Sequence, residues 1–125
     1  MDQTTDIAAH IEPIGVEEAH AIPLADLPKW IRITADQKAA ISYEWSVAYY
    51  HYKERRGALV HYFHREEGLG ITAAEIKADL DPNVIEAGDY SRRLKERVAA
   101  IEIAERQLLQ EYNVKLAVAR AASGD

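Results

Sequence analysis

The stretch from Thr34 to Glu67 reads TADQKAAISYEWSVAYYHYKERRGALVHYFHREE; it contains no proline, a single glycine and most of the chain's aromatic residues. Thr34 and Gln37 together have the pattern of a capping box, which marks a helix N-terminus. Gly68 follows the stretch, and glycine there is suited to ending a helix. The sequence therefore predicts one long helix over about residues 34–67, around which the rest of the chain is organised.

A second long helix is predicted over about residues 88–122, and a short helix over about 72–80 connects the two. Two long helices joined by a short connection pack antiparallel. We therefore expect an all-α fold, an antiparallel helical hairpin. The apolar residues at heptad-like spacing predict its core and any coiled-coil contact with another subunit; they are Ile41, Trp45, Tyr49, Tyr52, Leu94, Val98, Ile101, Leu108 and Tyr112.

A second apolar stripe runs along a different face of the first helix. It consists of Tyr43, Val47, Tyr50 and Gly57, again three, four or seven residues apart. Apolar groups on two faces of one helix require contacts on two sides. The second contact would come from another segment of the chain or from another subunit.

Residues 1–33 differ in composition from the hairpin domain predicted over residues 34–125. Pro13, Pro23 and Pro28 interrupt this segment, which carries most of the net negative charge. Since proline breaks the helical ladder, we expect an extended N-terminal arm. Its apolar residues predict either a strap over the chain's own helices or an arm that docks on a partner; the candidate partner-binding residues are Ile14, Val16, Ile22, Leu24, Leu27 and Trp30.

Basic residues are predicted to meet at one tip of the hairpin, where the end of the first helix lies beside the start of the second. These residues are Arg55, Arg56, His61, His64, Arg65, Arg92 and Arg93. They would pair with neighbouring carboxylates or form a docking surface for an acidic partner or a phosphate backbone. His61 and His64 are three residues apart, but no third ligand has a clear spacing, so we expect no metal site there.

The run from Leu69 to Leu80, LGITAAEIKADL, resembles the entry of a helix-turn-helix. That resemblance implies that the helix that follows would recognise a DNA sequence. The acidic side chains of Asp81, Glu86 and Asp89 lie in the region that would face the phosphates, which would repel them. A plain connector is the alternative interpretation.

Composition excludes several classes of protein. The chain of 125 residues has no cysteine and a net charge of −6; a disulfide framework, a thiolate metal site and a cysteine nucleophile are therefore excluded. No phosphate-binding glycine loop, Gly-x-Ser-x-Gly or His-Glu-x-x-His motif is present, so we expect no enzyme and no cofactor. No apolar run is long enough to cross a membrane, and the first residues do not resemble a secretion signal.

These observations predict a non-enzymatic structural protein that forms homo-oligomers or docks into a larger assembly. It is similar in build to small helical connector, adaptor and scaffolding proteins of phage particles, so we expect it in the cytoplasm or in a virus particle. The alternative is a DNA-binding or DNA-packaging accessory protein that uses residues 72–97 and the basic tip. A packaging protein resembling a terminase small subunit would combine both.

Overall fold

The computed structural model describes residues 15–124, and this part of the chain is almost entirely helical. Within residues 15–124, four α-helices follow one another, with a 3₁₀ turn at Leu24–Asp26. They are α1 (Val16–Ala21), α2 (Leu27–Arg65), α3 (Ile71–Asp79) and α4 (Pro82–Ala122). The residues described contain no strand, and the long helices α2 and α4 pack against each other. The predicted all-α helical hairpin is confirmed.

The first long helix begins at Leu27, so the predicted start at Thr34 is wrong by seven residues. Pro28 lies in the first turn of α2. Backbone N–H groups in the first turn have no acceptor within the helix, so the missing N–H of proline costs no hydrogen bond there. Thr34 and Gln37 do not cap the helix; both are buried in its interior, with 3% of each residue exposed. The predicted extended arm is also wrong for residues 16–33, which are mostly helical.

The second long helix also begins earlier than predicted, at Pro82 instead of about residue 88. Asp81 caps it: its Oδ1 accepts hydrogen bonds from the backbone N–H groups of Asn83 at 2.9 Å and Val84 at 3.2 Å. Pro82 occupies the first helical position, which suits its fixed φ angle. The C-terminal end at Ala122 is as predicted.

The connection between the long helices contains α3. After α2 ends, Gly68 adopts a φ of 72°, a conformation that favours glycine, and the Leu69 N–H donates to the Phe63 carbonyl at 3.1 Å. The N-cap of α3 is Gly70, and no side chain caps this helix, which begins one residue before the predicted start at about 72.

The chain divides into two compact units, the first comprising residues 15–42 and 97–124 of the described part. Its core includes Ile41 and Ile101, of which 1% or less is exposed. Lys38 donates to Glu105 across the two long helices at 2.8 Å, and this hydrogen bond is the main reason why the pKa of Lys38 is raised.

A second cluster in this unit joins the N-terminal segment to the C-terminal half of α4. Its buried members are Ala19, Ile22, Leu27 and Leu108; Leu24, Trp30, Ile31 and Tyr112 pack against them. Lys115 Nζ donates to two backbone carbonyls of the segment, those of His20 at 2.6 Å and Ile22 at 2.5 Å. The described part of the N-terminal segment therefore lies against its own chain.

The second unit, Tyr43–Glu96, contains the end of α2, all of α3 and the start of α4. Its buried residues are the small Ala48, Ala74, Ala78 and Ser91 together with the larger Val84 and Leu94. Gly88 of α4 lies so close to α2 that a Cβ atom placed on it would be 3.1 Å from Cε1 of Tyr52. This contact fixes the register of α2 against α4 within the unit.

Candidate functional site

The second unit exposes apolar side chains on the solvent side of α2. Tyr43, Val47 and Tyr50 lie at helical spacing on the side opposite the buried Ala48. Their exposed fractions are 73%, 39% and 64%, respectively. The predicted second apolar stripe is therefore present. The described chain does not cover it.

This stripe continues toward the C-terminal end of α2 with small and charged residues. We call the whole set the outer face: Tyr43, Val47, Tyr50, Glu54, Gly57, Ala58, His61 and Arg65. Gly57 and Ala58 are exposed in the middle of this face, and a Cβ atom added to Gly57 would meet no other atom within 4 Å. Packing within the chain therefore gives no reason for a glycine inside this helix.

A second feature, the aromatic groove, lies between α2 and α4 in the same unit. Trp45, Tyr49 and Tyr52 form one wall, with ring centroids 6.0 Å and 6.3 Å apart. Arg92 and Lys95 lie on the opposite wall, and the groove has a volume of about 580 Å³. It is open to solvent and lacks the enclosed shape of a typical small-molecule pocket.

The predicted core residues fall into two groups. Ile41, Leu94, Ile101 and Leu108 are buried, whereas Trp45, Tyr52, Val98 and Tyr112 are half-buried and Tyr49 is 44% exposed. The half-buried aromatic residues of α2 belong to the aromatic groove. Heptad spacing thus found the core of the hairpin but could not separate core residues from groove residues.

The candidate partner-binding residues of the N-terminal segment lie mostly inside the first unit. Ile22 and Leu27 are buried against their own chain, and Leu24 and Trp30 pack around them. Val16 is 58% exposed. Ile14 lies outside the residues described. Of the two alternatives for this segment, Ile22 and Leu27 fit the first, a strap that packs over the chain's own helices.

The structure does not assemble the predicted basic tip. His61 and His64 line a groove with Ile71 and Glu75 of α3. Arg92 and Arg93 line a different groove, with Pro82, Ile85, Glu86 and Asp89. The reason is the register: α4 starts at Pro82 and its Gly88 packs beside Tyr52, so α3 takes the place beside His61 that the prediction gave to the start of α4.

Two of these cations are already paired with carboxylates. Arg56 donates to both carboxylate oxygens of Asp79, at 2.6 Å and 3.1 Å, and lies 3.6 Å from Glu75. This hydrogen bond raises the pKa of Arg56 and lowers that of Asp79. Arg92 pairs with Asp89 and Glu96 within α4. Arg55, Arg65 and Arg93 are exposed.

Within residues 15–124 no group of three metal-ligating side chains is close enough to hold an ion. His64 Nδ1 donates to the Leu69 carbonyl at 2.7 Å, which ties that histidine to the turn after α2. Tyr90 donates to Glu44, and this bond raises the pKa of Tyr90. None of the helices in this range has the length and apolarity needed to cross a membrane.

Sequence reasoning missed a second exposed apolar site, on α3. Ile76 and Leu80 are one turn apart. Ile76 is 58% exposed and Leu80 is 70% exposed. The i, i+4 spacing of these two residues was visible in the sequence, but spacing alone does not show which side of a short helix is exposed. The buried side of α3 is instead formed by Ala74 and Ala78.

Comparisons of the chain with known protein families, with curated proteins and with solved structures find no match.

Proposed function

We propose that this chain is a non-enzymatic structural protein that assembles with other chains, copies of itself above all. The observation that carries the proposal is the outer face of α2. It presents Tyr43, Val47 and Tyr50 to solvent on the side opposite the core. A contiguous apolar surface of this kind typically marks a protein–protein contact site.

The composition of the outer face supports a contact between proteins. Tyrosine is enriched at such interfaces because it combines a large apolar ring with a polar tip. The grooves of the second unit are open, and no nucleophile–base pair is found in them among the described residues, so catalysis has less support. A small connector, adaptor or scaffold component of a phage particle is the setting that we propose.

A DNA-binding role is the second candidate, and one observation favours it. The short helix α3 and the long helix α4 are joined by Leu80 and Asp81, a turn shorter than the roughly three to four residues of a helix-turn-helix but similar in placing a short helix before a longer one. The first turns of α4 carry Glu86 and Asp89, both exposed, and this charge would weaken phosphate contacts. An electrophoretic mobility shift assay with DNA over a range of salt concentrations decides between the two candidate functions. Binding in low salt would favour the DNA-binding role.

The test of assembly is light scattering on size-exclusion fractions of two matched double variants. Tyr43→Ser with Tyr50→Ser removes exposed apolar surface from the outer face. Val114→Ser with Val118→Ser removes it from α4, where 54% and 64% of the two valines is exposed. We expect the wild type and the α4 variant to associate and the outer-face variant to remain a single chain. A wild type that stays monomeric, or equal behaviour of the two variants, contradicts the proposal.

A further inference from the structure

We propose that the part of the outer face from Tyr50 to Arg65 pairs with the same residues of a second copy of this chain, antiparallel, about a two-fold axis that passes between Gly57 and Ala58. In this register Tyr43 and Val47 lie beyond the end of the partner's α2, which ends at residue 65. This inference rests on the proposed function, because it names the partner and the register of the assembly. The evidence for it is the order of side chains along the outer face and the lack of partners for the charged ones.

The order of residues is complementary to itself when reversed. One turn before the axis lies Glu54, and one turn after it lies His61. Two turns before the axis lies Tyr50, and two turns after it lies Arg65. A two-fold axis at this point therefore places Glu54 opposite the partner's His61 and Tyr50 opposite the partner's Arg65. Because the axis is two-fold, each of these pairs occurs twice in the interface.

Each of these pairs is chemically favourable. A glutamate carboxylate accepts a hydrogen bond from imidazole and attracts its protonated form. A guanidinium group is attracted to the face of a tyrosine ring. A parallel pairing of the same two faces would place Glu54 opposite glutamate and Arg65 opposite arginine. Like charges would then meet, so the charge pattern selects the antiparallel arrangement.

The charged residues of the outer face have no partner of their own in the part of the chain that the structure describes. Glu54, His61 and Arg65 form no ion pair or side-chain hydrogen bond there, unlike Arg56 and Lys77 on the neighbouring side of the unit. The positions three and four residues after each of them carry no side chain of opposite charge. The positions three and four residues after Glu54 are Gly57 and Ala58, and the position four residues after His61 is the cation Arg65.

Gly57 and Ala58 at the centre explain how two helices could approach closely. Small residues at a crossing point let the backbones come together, whereas a longer side chain there would hold them apart. The added Cβ at Gly57 meets open space within its own chain, so the glycine is not required by folding. A contact with another chain supplies the missing reason for glycine at a position where it weakens the helix.

The test is a charge exchange at Glu54 and His61, read by sedimentation velocity over a concentration series. Glu54→Lys replaces the carboxylate acceptor opposite His61 by a cation that cannot accept a hydrogen bond, and His61→Glu places two carboxylates opposite each other. We expect each to raise the dimer dissociation constant by about tenfold or more. The double variant restores opposite charges and should regain most of the affinity. Glu86→Lys, an equal charge change on α4, is the control and should leave the dissociation constant unchanged.

Gly57→Gln provides a second, independent variant. Glutamine favours helix more than glycine does, so the isolated chain should unfold at the same or a higher temperature while the dimer is weakened. At concentrations where the wild type and the variant are both single chains, a lower unfolding temperature of the variant would show that Gly57 is needed for folding, and would contradict its assignment to the interface.

The outcomes separate this inference from the proposed function. If the wild type associates but Glu54→Lys behaves like Glu86→Lys, or the double variant is no better than the single ones, the two-fold interface is wrong while assembly stands. If the wild type is a single chain at every concentration, self-assembly itself fails and this inference fails with it.

Discussion

At the scale of single residues, the bond between Arg56 and Asp79 links α2 to α3. The Asp79 side chain is about half exposed, at 49%, so solvent weakens the pair. Because the hydrogen bond from Arg56 lowers the pKa of Asp79 below 3.8, its usual value, folding favours the charged carboxylate. The resulting stability is present above about pH 4 and is lost as the pH falls through the folded-state pKa.

We therefore predict that Asp79→Asn lowers the free energy of unfolding at neutral pH by at most about 1 kcal/mol, as for exposed ion pairs. The difference from the wild type should shrink as the pH drops below 4, since protonation removes the same charge. Urea unfolding at a series of pH values measures both effects. Glu86→Gln is the control, and a deficit that persists undiminished in acid would show that charge is not the cause.

At the scale of the helix, the start of α4 depends on Asp81. Its side chain accepts two of the backbone N–H groups that have no partner within the helix. We predict that Asp81→Ala destabilises the protein by about 1 kcal/mol, the usual cost of a lost N-cap. Asp81→Asn keeps an acceptor oxygen and should retain most of the stability. Equal losses in the two variants, measured by urea unfolding, would mean that the oxygen does not act as the cap.

The limits of sequence reasoning are clearest in these helices. The heptad spacing is local information, and it correctly predicted the hairpin and the buried Ile41, Leu94, Ile101 and Leu108. The start of α2 was missed because Pro28 was read as a helix breaker, although proline fits a first turn. Thr34 matched a capping pattern that also occurs inside helices.

The register of the helices was not available from the sequence. It depends on where α4 begins and on how α3 fills the space beside the end of α2. Gly88 packing on Tyr52 is a contact between residues far apart in the chain, and no local pattern predicts it. For that reason the predicted basic tip was wrong, whereas the exposed Tyr43 and Tyr50 followed from the helical period alone.

At the scale of the whole molecule, the N-terminal segment and the outer face have separate roles in this account. The segment covers Leu108 with Ala19 and Ile22, and Lys115 holds its backbone carbonyls. We predict that deletion of residues 1–22 lowers the free energy of unfolding by about 2 kcal/mol or more, since it uncovers a buried cluster. The outer face is untouched, so self-association should persist.

Thermal unfolding and light scattering on the same sample measure both parts of this prediction. Deletion of residues 1–14 alone is the control, because it leaves Ala19 and Ile22 in place. A shortened chain that keeps its stability but no longer associates would show that the segment docks on a neighbouring chain.

The central claim is that this protein assembles through the outer face of α2. Sedimentation equilibrium of the wild type beside Tyr43→Ser with Tyr50→Ser tests it most directly, since it reports mass without assuming a shape. We predict a wild-type mass that rises with concentration to a multiple of 14.1 kDa, the mass of one chain, and a variant that stays at 14.1 kDa. A wild-type mass of 14.1 kDa at every concentration, or a variant that associates equally well, would contradict the claim.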